Sequence, residues 1–447
     1  MIVIKNAHAL QFEPARSWED VDIVIDGDTI AEVGKGAADK IASDRIEKTI
    51  DASGTLVYPG LVCSHHHYYS GFARGIMGGV GPIKDFVTAL RNLWWRIDRA
   101  LDEESLYYSA LINSIEAIKM GTTSVIDHHA SPSYIRGSLD TIKRAFEEAG
   151  LRGMTCYETT DRHGIEDMKA GVEENVAFAV AAEKERQSGK PHLVEAAIGG
   201  HAPFTLPDEG LELLGDAVEK TGRGFHVHVG EGKFDVSFSH LHFNRDITDR
   251  LSDYGLLNDK ALFIHGVHLS PEDVERINAA DAYLIHNVRS NMNNGVGYNS
   301  RLGEYKNVAL GTDGIGANMY EEFRFAFFKH MDEHGGLGPE DYLGFLAHGN
   351  DVLQRYFGGR FGRIEKGAKA DLVVADYTSP TPIQAENIAG HMAFGMTSTD
   401  VRTVLIEGKP VYEDREFPID IEEIFAKSRE AAKATWRRVE NLEDKTY

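Results

Sequence analysis

Only two cysteines, Cys63 and Cys156, occur in the 447 residues, and they lie far apart in the chain. That excludes a disulfide scaffold and any CxxC metal or redox motif, and it fits a reducing compartment. No run of about 18 apolar residues is present, and the start, MIVIKNAHALQFEP, lacks a basic segment leading into a long apolar one. A membrane span and a secretory leader are therefore not expected, and a cytoplasmic location is. Basic residues are outnumbered 47 to 70 by acidic ones, a net charge of −23. A surface of that sign repels phosphate backbones and anionic membranes, so the expected partner is a small molecule rather than nucleic acid or lipid. A homo-oligomer is compatible with these features but not indicated by them.

What the chain does contain is enough for a large core, with 42% apolar and 26% charged residues. Short alternating segments open it: MIVIKNA, then VDIVIDGDTIAEVG, where Asp26-Gly27-Asp28 reads as a tight turn. The same texture returns in KADLVVADYT (369–378) and VRTVLIEGKPVYEDREF (401–417), the latter turning at Glu407-Gly408-Lys409. Residues 1–58 and 359–419 thus read as one composite β-sandwich domain built from both termini. Residues 420–447 read as a C-terminal helical segment.

The insertion between them, 59–358, alternates apolar runs with helical patterns. The runs are TLVYPGLVC (55–63), TTSVIDH (122–128), GMTCYE (153–158), LVEAAIGG (193–200), GFHVHVG (224–230), ALFIHGV (261–267), AYLIHNV (282–288) and VALGTD (308–313). Eight strands alternating with helices are what an α/β (β/α)₈ barrel needs. Asp102 and Gly121 are placed to cap a helix over 103–120.

His65 and His67, His128 and His129, Glu158, His201, His228 and Glu231, His265, Asn287 and Asp313 all fall at or just past the C-terminal end of a run. In such a barrel that is the face that carries active sites. One histidine at a strand end usually has a structural hydrogen bond; a set distributed over nearly every run points to a site. Side chains at i and i+2 share a face, so in SHHHYY His65 and His67 point together and His66 points away. By the same alternation His226 and His228 share a face, with His228 nearer the mouth and Glu231 three residues on. His65, His67, His228 and Asp313 form a three-imidazole, one-carboxylate set suited to one divalent metal, Zn²⁺ or Fe²⁺, with a position left for water.

These motifs resemble the amidohydrolase superfamily: PGLVCSHHH, GTTSVID, HAPFTL, HVGE, HGVHL, SNMN, GTDG and GRIEKGAKADLVVAD recur in order along nearly the whole chain. The pattern is most similar to the cyclic deaminase and chlorohydrolase branch, and CYETTDRHG with NVRSNMNNGVG is similar to the SsnA-type aminohydrolases. The resemblance implies a metal-bearing barrel with a small β-sandwich. It also implies Glu231 as the proton shuttle, His265 as the group that holds the attacking water or developing oxyanion, and Asp313 as base as well as ligand. The run LVEAAIGGHAP has no lysine to bridge two metals, so one ion per chain is expected. His66 and the pair Val288-Arg289 depart from the family pattern without touching an expected ligand.

His201, Glu158, Arg162, Trp94 and Arg289 are candidate substrate contacts, with Arg74 able to set polarity. Trp94 and Trp95, with Phe86 and Leu93, lie in a long excursion after the first barrel strand that could cover the pocket. The expected activity is hydrolytic deamination of a purine-, pterin- or pyrimidine-like ring. The alternatives are hydrolysis of a cyclic amide or of a chloro- or aminotriazine, and a non-catalytic scaffold, which would be expected to have lost ligands.

Overall fold

The computed structural model describes residues 1–189 and 191–443; the last four residues of the expected C-terminal segment lie outside the described ones. Five strands open the chain: β1 (Ile2–Gln11), β2 (Arg16–Asp26), β3 (Thr29–Gly34), β4 (Lys48–Asp51) and β5 (Leu56–Pro59). Nine short ones follow: β6 (Leu61–His66), β7 (Thr122–Asp127), β8 (Arg152–Thr155), β9 (Val194–Ala196), β10 (Ile198–Gly200), β11 (Phe225–Val229), β12 (Leu262–His265), β13 (Tyr283–His286) and β14 (Val308–Leu310). The last three are β15 (Leu372–Ala375), β16 (Val401–Ile406) and β17 (Lys409–Tyr412).

Strands from both ends of the chain form one eight-stranded sheet, ordered β17-β16-β15-β5-β1-β2-β3 with β4 on β1. Asp26 pairs with Thr29, so Gly27 and Asp28 make the turn, and Gly27 takes φ +62° as a tight hairpin requires.

The run 55–63, expected as one strand, divides at Gly60. Its first half, β5, pairs with β1 and β15 in the terminal sheet, and its second half, β6, pairs with β7. Gly60 makes the crossing possible: a Cβ there would stand 2.0 Å from Thr123 Oγ1. The run 193–200 also divides. Ala197 N–H donates to Thr155 O (3.1 Å) and Ile198 N–H to Gly224 O (3.0 Å), so this segment pairs with β8 on one side and leads to β11 on the other.

β6-β7-β8-β9 and β10-β11-β12-β13-β14 are all parallel neighbours. Beyond β14, Asp313 makes a parallel bridge back to His66 on β6. Helices fill the connections, among them Glu103–Lys119, where Asp102 and Ser105 form a reciprocal capping box. The C-terminal helix runs Ile421–Asn441. Among the described residues no helix is long and apolar enough to cross a membrane. Arg152 on β8 is 1% exposed and bonds Asp371 (2.8 Å) and Glu407 (3.3 Å), both flanking terminal-sheet strands.

Candidate active site

The strand ends bring the predicted polar residues into one buried cluster. His66 turns away from it, its Nδ1 engaging the Asp313 carbonyl and lying 3.2 Å from Thr312 Oγ1. His67 Nδ1 lies 2.6 Å from the His128 carbonyl and His228 Nδ1 lies 2.8 Å from the His201 carbonyl. A carbonyl only accepts, so each Nδ1 carries the hydrogen and each Nε2 is left with its lone pair. Those two Nε2 atoms are 3.2 Å apart, and Asp313 Oδ1 is 3.1 Å from that of His67. Lone pairs and a carboxylate gathered this closely require a positive centre.

A proton meets part of that demand. Burial alone would lower His67, but the Asp313 hydrogen bond, its charge and that of Glu158 push it up to about 9. Burial would raise Asp313; the His67 bond and the neighbouring imidazoles more than reverse this and hold it below the carboxylate range. A divalent ion meets the demand more fully. His65 Nε2 is buried with no hydrogen-bond partner, 4.0 Å from Asp313 Oδ1, while its Nδ1 sits 2.9 Å from His226 Nε2. Metal–nitrogen bonds of about 2.0–2.1 Å set tetrahedral donor atoms roughly 3.4 Å apart, which these spacings bracket. The donor set His65, His67, His228 and Asp313 therefore fits such an ion. Deeper in, the rings of His128 and His226 stack nearly parallel, 4.4 Å between centroids, and His65, His128 and His226 each offer a nitrogen within 4.8 Å of the others.

Beside the cluster, His265 Nδ1 is 2.8 Å from Asn291 Oδ1, and its Nε2 faces Glu231 Oε2 (3.5 Å) and Asp313 Oδ2 (3.9 Å). Ser290 Oγ donates to Asp313 Oδ2 and Asn294 Nδ2 to Glu231 Oε1. Burial, then the charge of Asp313, lift Glu231 well above the carboxylate range. His265 and Asp313 hold φ +72° and +53°, a left-handed conformation that costs non-glycine residues and clusters at functional sites.

A cavity of about 350 Å³ opens onto His67, His228, Glu231 and Asp313. Glu158, Arg162, His201 and Trp94 line it, as do Phe86, Leu90 and Trp95. His201 Nε2 lies 3.4 Å from Glu158 Oε1. Burial, opposed by His67 and Arg162, puts Glu158 up at about 7. Arg162 bonds Asp98 (2.9 Å) and stands 4.5 Å over the Trp95 ring. Arg289 is not brought to the cavity: Glu322 (2.6 Å), Glu321 (2.9 Å) and the Gly316 carbonyl occupy its guanidinium. Arg74 forms a forked pair with Glu116 outside the cavity.

Sequence reasoning missed Asp98, Phe204, Phe234 and Asn294, all of which line the cavity. Spacing could have found three of them: Phe204 and Phe234 each follow a named residue by three, and Asn294 follows Ser290 by one helical turn. Asp98 meets Arg162 only through the fold.

The amidohydrolase family model matches residues 56–411, so the chain belongs to the amidohydrolase family. One relative is a 5-methylthioadenosine/S-adenosylhomocysteine deaminase of Caldanaerobacter subterraneus subsp. tengcongensis, 28% identical over 95% of this chain and 96% of that one. Another, a 5'-deoxyadenosine deaminase of Methanosarcina acetivorans, is 27% identical over 96% and 97%. Among solved structures, a zinc-bound adenosine deaminase from Xanthomonas campestris superposes with a TM-score of 0.82 at 23% identity, covering 99% of both chains. The atrazine chlorohydrolase of Arthrobacter aurescens TC1, complexed with zinc, gives 0.81 at 20%, covering 97% of this chain and 100% of that one.

Proposed function

We propose that this protein is a hydrolytic deaminase of an amino-substituted purine nucleoside or related heterocycle, dependent on one divalent ion, Zn²⁺ in preference to Fe²⁺. The observation that carries the reading is the convergence of His67 Nε2, His228 Nε2 and Asp313 Oδ1 beside the buried Glu231, whose Oε2 lies 3.5 Å from His265 Nε2. The deaminase relatives narrow the ring toward adenine-like ones. We read the parallel strands as a closed (β/α)₈ barrel over 59–358, with residues 1–58 and 359–419 as a separate β-sandwich domain, and place the protein in the cytoplasm.

His65, His67, His228 and Asp313 would hold the ion, which when bound supplies a water acidified toward neutral pH. Asp313 takes the proton from the attacking water, and His265 Nε2 orients that water against the ring carbon. Glu231, whose burial favours the protonated form, gives its proton to the ring nitrogen. The water oxygen is now bonded to the ring carbon; Glu231 takes the proton of the new hydroxyl and passes it to the amine. The carbon–nitrogen bond breaks as the carbonyl forms, ammonia leaves, and the proton held by Asp313 restores Glu231. His201, Glu158 and the Trp94 ring contact the heterocycle, and the apolar wall excludes bulk water.

The test is a screen of the metal-replete enzyme against adenosine, 5'-deoxyadenosine, methylthioadenosine, guanine, pterins, cytosine, hydantoins and triazines, following ammonia, chloride and ring opening separately. Ammonia release from a 6-aminopurine supports the reading, and chloride release or ring opening without ammonia overturns it. The triazine alternative rests on the likeness to the chlorohydrolase fold.

A further inference from the structure

One segment lends the cavity the apolar lining residues Phe86, Leu90, Trp94 and Trp95. Residues 86–97 run as a short helix (Phe86–Ala89), a π turn (Leu90–Trp94) and a last helical turn (Trp95–Ile97). π turns are rare and recur at functional sites. Two aromatic rings of this segment rest on the two glycines that follow the proton-handling carboxylates. A Cβ on Gly232, next to Glu231, would stand 3.3 Å from Phe86 Cδ1; one on Gly314, next to Asp313, would stand 3.5 Å from Trp94 Cη2. The Phe86 contact is tight enough that a side chain at Gly232 would push the ring back, whereas Trp94 lies at ordinary contact distance from Gly314, with Ser70 Oγ nearer at 3.2 Å. The outer side of this seat is open to solvent: Ile83 is 51% and Val87 39% exposed, next to Phe234 at 52%.

The ends of the segment are held firmly, and by the same element. Gly78 and Gly79 pack on the C-terminal helix so closely that a Cβ on Gly79 would stand 2.9 Å from Glu440 Cα. At the other end Arg96 donates to the carbonyls of Val439 (2.9 Å) and Leu442 (3.2 Å), Arg438 donates to the Ala100 carbonyl, and Arg438 pairs with Asp102 at 2.9 Å. Trp436 Nε1 donates to the Phe72 carbonyl ahead of the first hinge (2.7 Å).

We propose that residues 80–95 are a hinged cover of the active site, braced at both ends by the C-terminal helix, in which Phe86 and Trp94 act as positioning residues for Glu231 and Asp313. Substrate enters when the segment lifts, and seating the two rings sets the carboxylates and excludes water. The C-terminal helix thus acts on chemistry it does not touch. The inference rests on the reading of the site as a deaminase.

The experiment is amide hydrogen exchange on the full-length, zinc-loaded protein, with peptides covering 80–95 compared with the helix Glu103–Lys119 as an internal control. Inosine, the product of adenosine, is the probe, and equilibrium dialysis records whether it binds. Inosine bound to the wild type should slow exchange in 80–95 by about tenfold and leave the control unchanged; bound inosine with no slowing overturns the cover. Without any probe, Arg96→Ala should speed exchange in 80–95 severalfold with the control unchanged, and no change there overturns the brace. Absence of inosine binding counts against the adenosine-like substrate, and the Arg96→Ala comparison still decides the brace. Phe86→Ala should lower kcat more than it raises KM and leave bound zinc at the wild-type level; a change in KM alone would make Phe86 a wall residue rather than a positioning one.

Discussion

His65, His66 and His67 are chemically identical and differ only in which way the strand turns them. His65→Ala or His67→Ala removes a nitrogen from the converging set and should abolish both metal retention and turnover. His66→Thr should leave the metal bound, as atomic absorption after dialysis would show. Glu231 and Asp313 separate along a different line. Glu231→Gln keeps the shape and loses the transferable proton, so bound metal should persist while kcat falls by about 10²–10⁴. Asp313→Asn weakens a ligand and a base together and should lower occupancy and rate in parallel.

Asp235, which lines the cavity, has a pH signature of its own. Burial, opposed by the Gly230 N–H bond, lifts it from 3.8 to about 7. Its folded-state pKa is raised, so its contribution to stability is full below pH 3.8 and is lost as pH rises toward 7. Across that window the unfolding free energy of the wild type should decline relative to Asp235→Asn, with a slope of at most about 1.4 kcal/mol per pH unit. Denaturant melts of both proteins at several pH values measure it, and parallel curves would contradict the shift.

At the scale of elements, the segment 86–100 is fastened to the end of β8 by a buried pair, Arg162 at 5% and Asp98 at 2% side-chain exposure. Asp98→Asn leaves the buried Arg162 charge without its hydrogen-bonded carboxylate, with Glu158 left to oppose it. The expected loss is about 3–5 kcal/mol, the usual consequence of breaking one partner of a buried pair, read from urea melts. Asp102→Ala, which removes only the cap of the helix Glu103–Lys119, should cost about 1 kcal/mol. The contrast tests whether the pair or the helix start holds this region together. Exchange of Trp95 for a smaller residue would also remove the face against which Arg162 is stacked.

At the scale of the molecule, the terminal sheet and the parallel strands meet across Arg152, Asp371 and Glu407. Arg152→Met leaves two carboxylates facing each other without their cation and should destabilise the whole chain by about 3–5 kcal/mol. The metal adds a further linkage. Metal analysis should give about one divalent ion per chain, and free zinc at a hundredfold its Kd should raise the unfolding free energy by about 2.7 kcal/mol over chelated protein. A reproducible value near two ions would contradict the single-site reading.

The order of strand-like runs, the polar residues at their ends and the spacing of His65, His67, His228, Glu231 and Asp313 were legible in the sequence alone. These are local features, set by period-two alternation and by which residue types carry lone pairs or protons. Three-dimensional packing decided the rest. The run at 55–63 divides because Gly60 passes against Thr123, a residue of a strand that begins 61 positions after β6 does. Arg289, chemically as able to hold a substrate as Arg162, is captured by Glu321 and Glu322, while Arg162 is carried to the cavity by Asp98, 64 residues away. Long-range pairing of this kind depends on which surfaces the helices present to one another. No periodicity along the chain encodes it, because the energy that selects one partner over another exists only once both are buried.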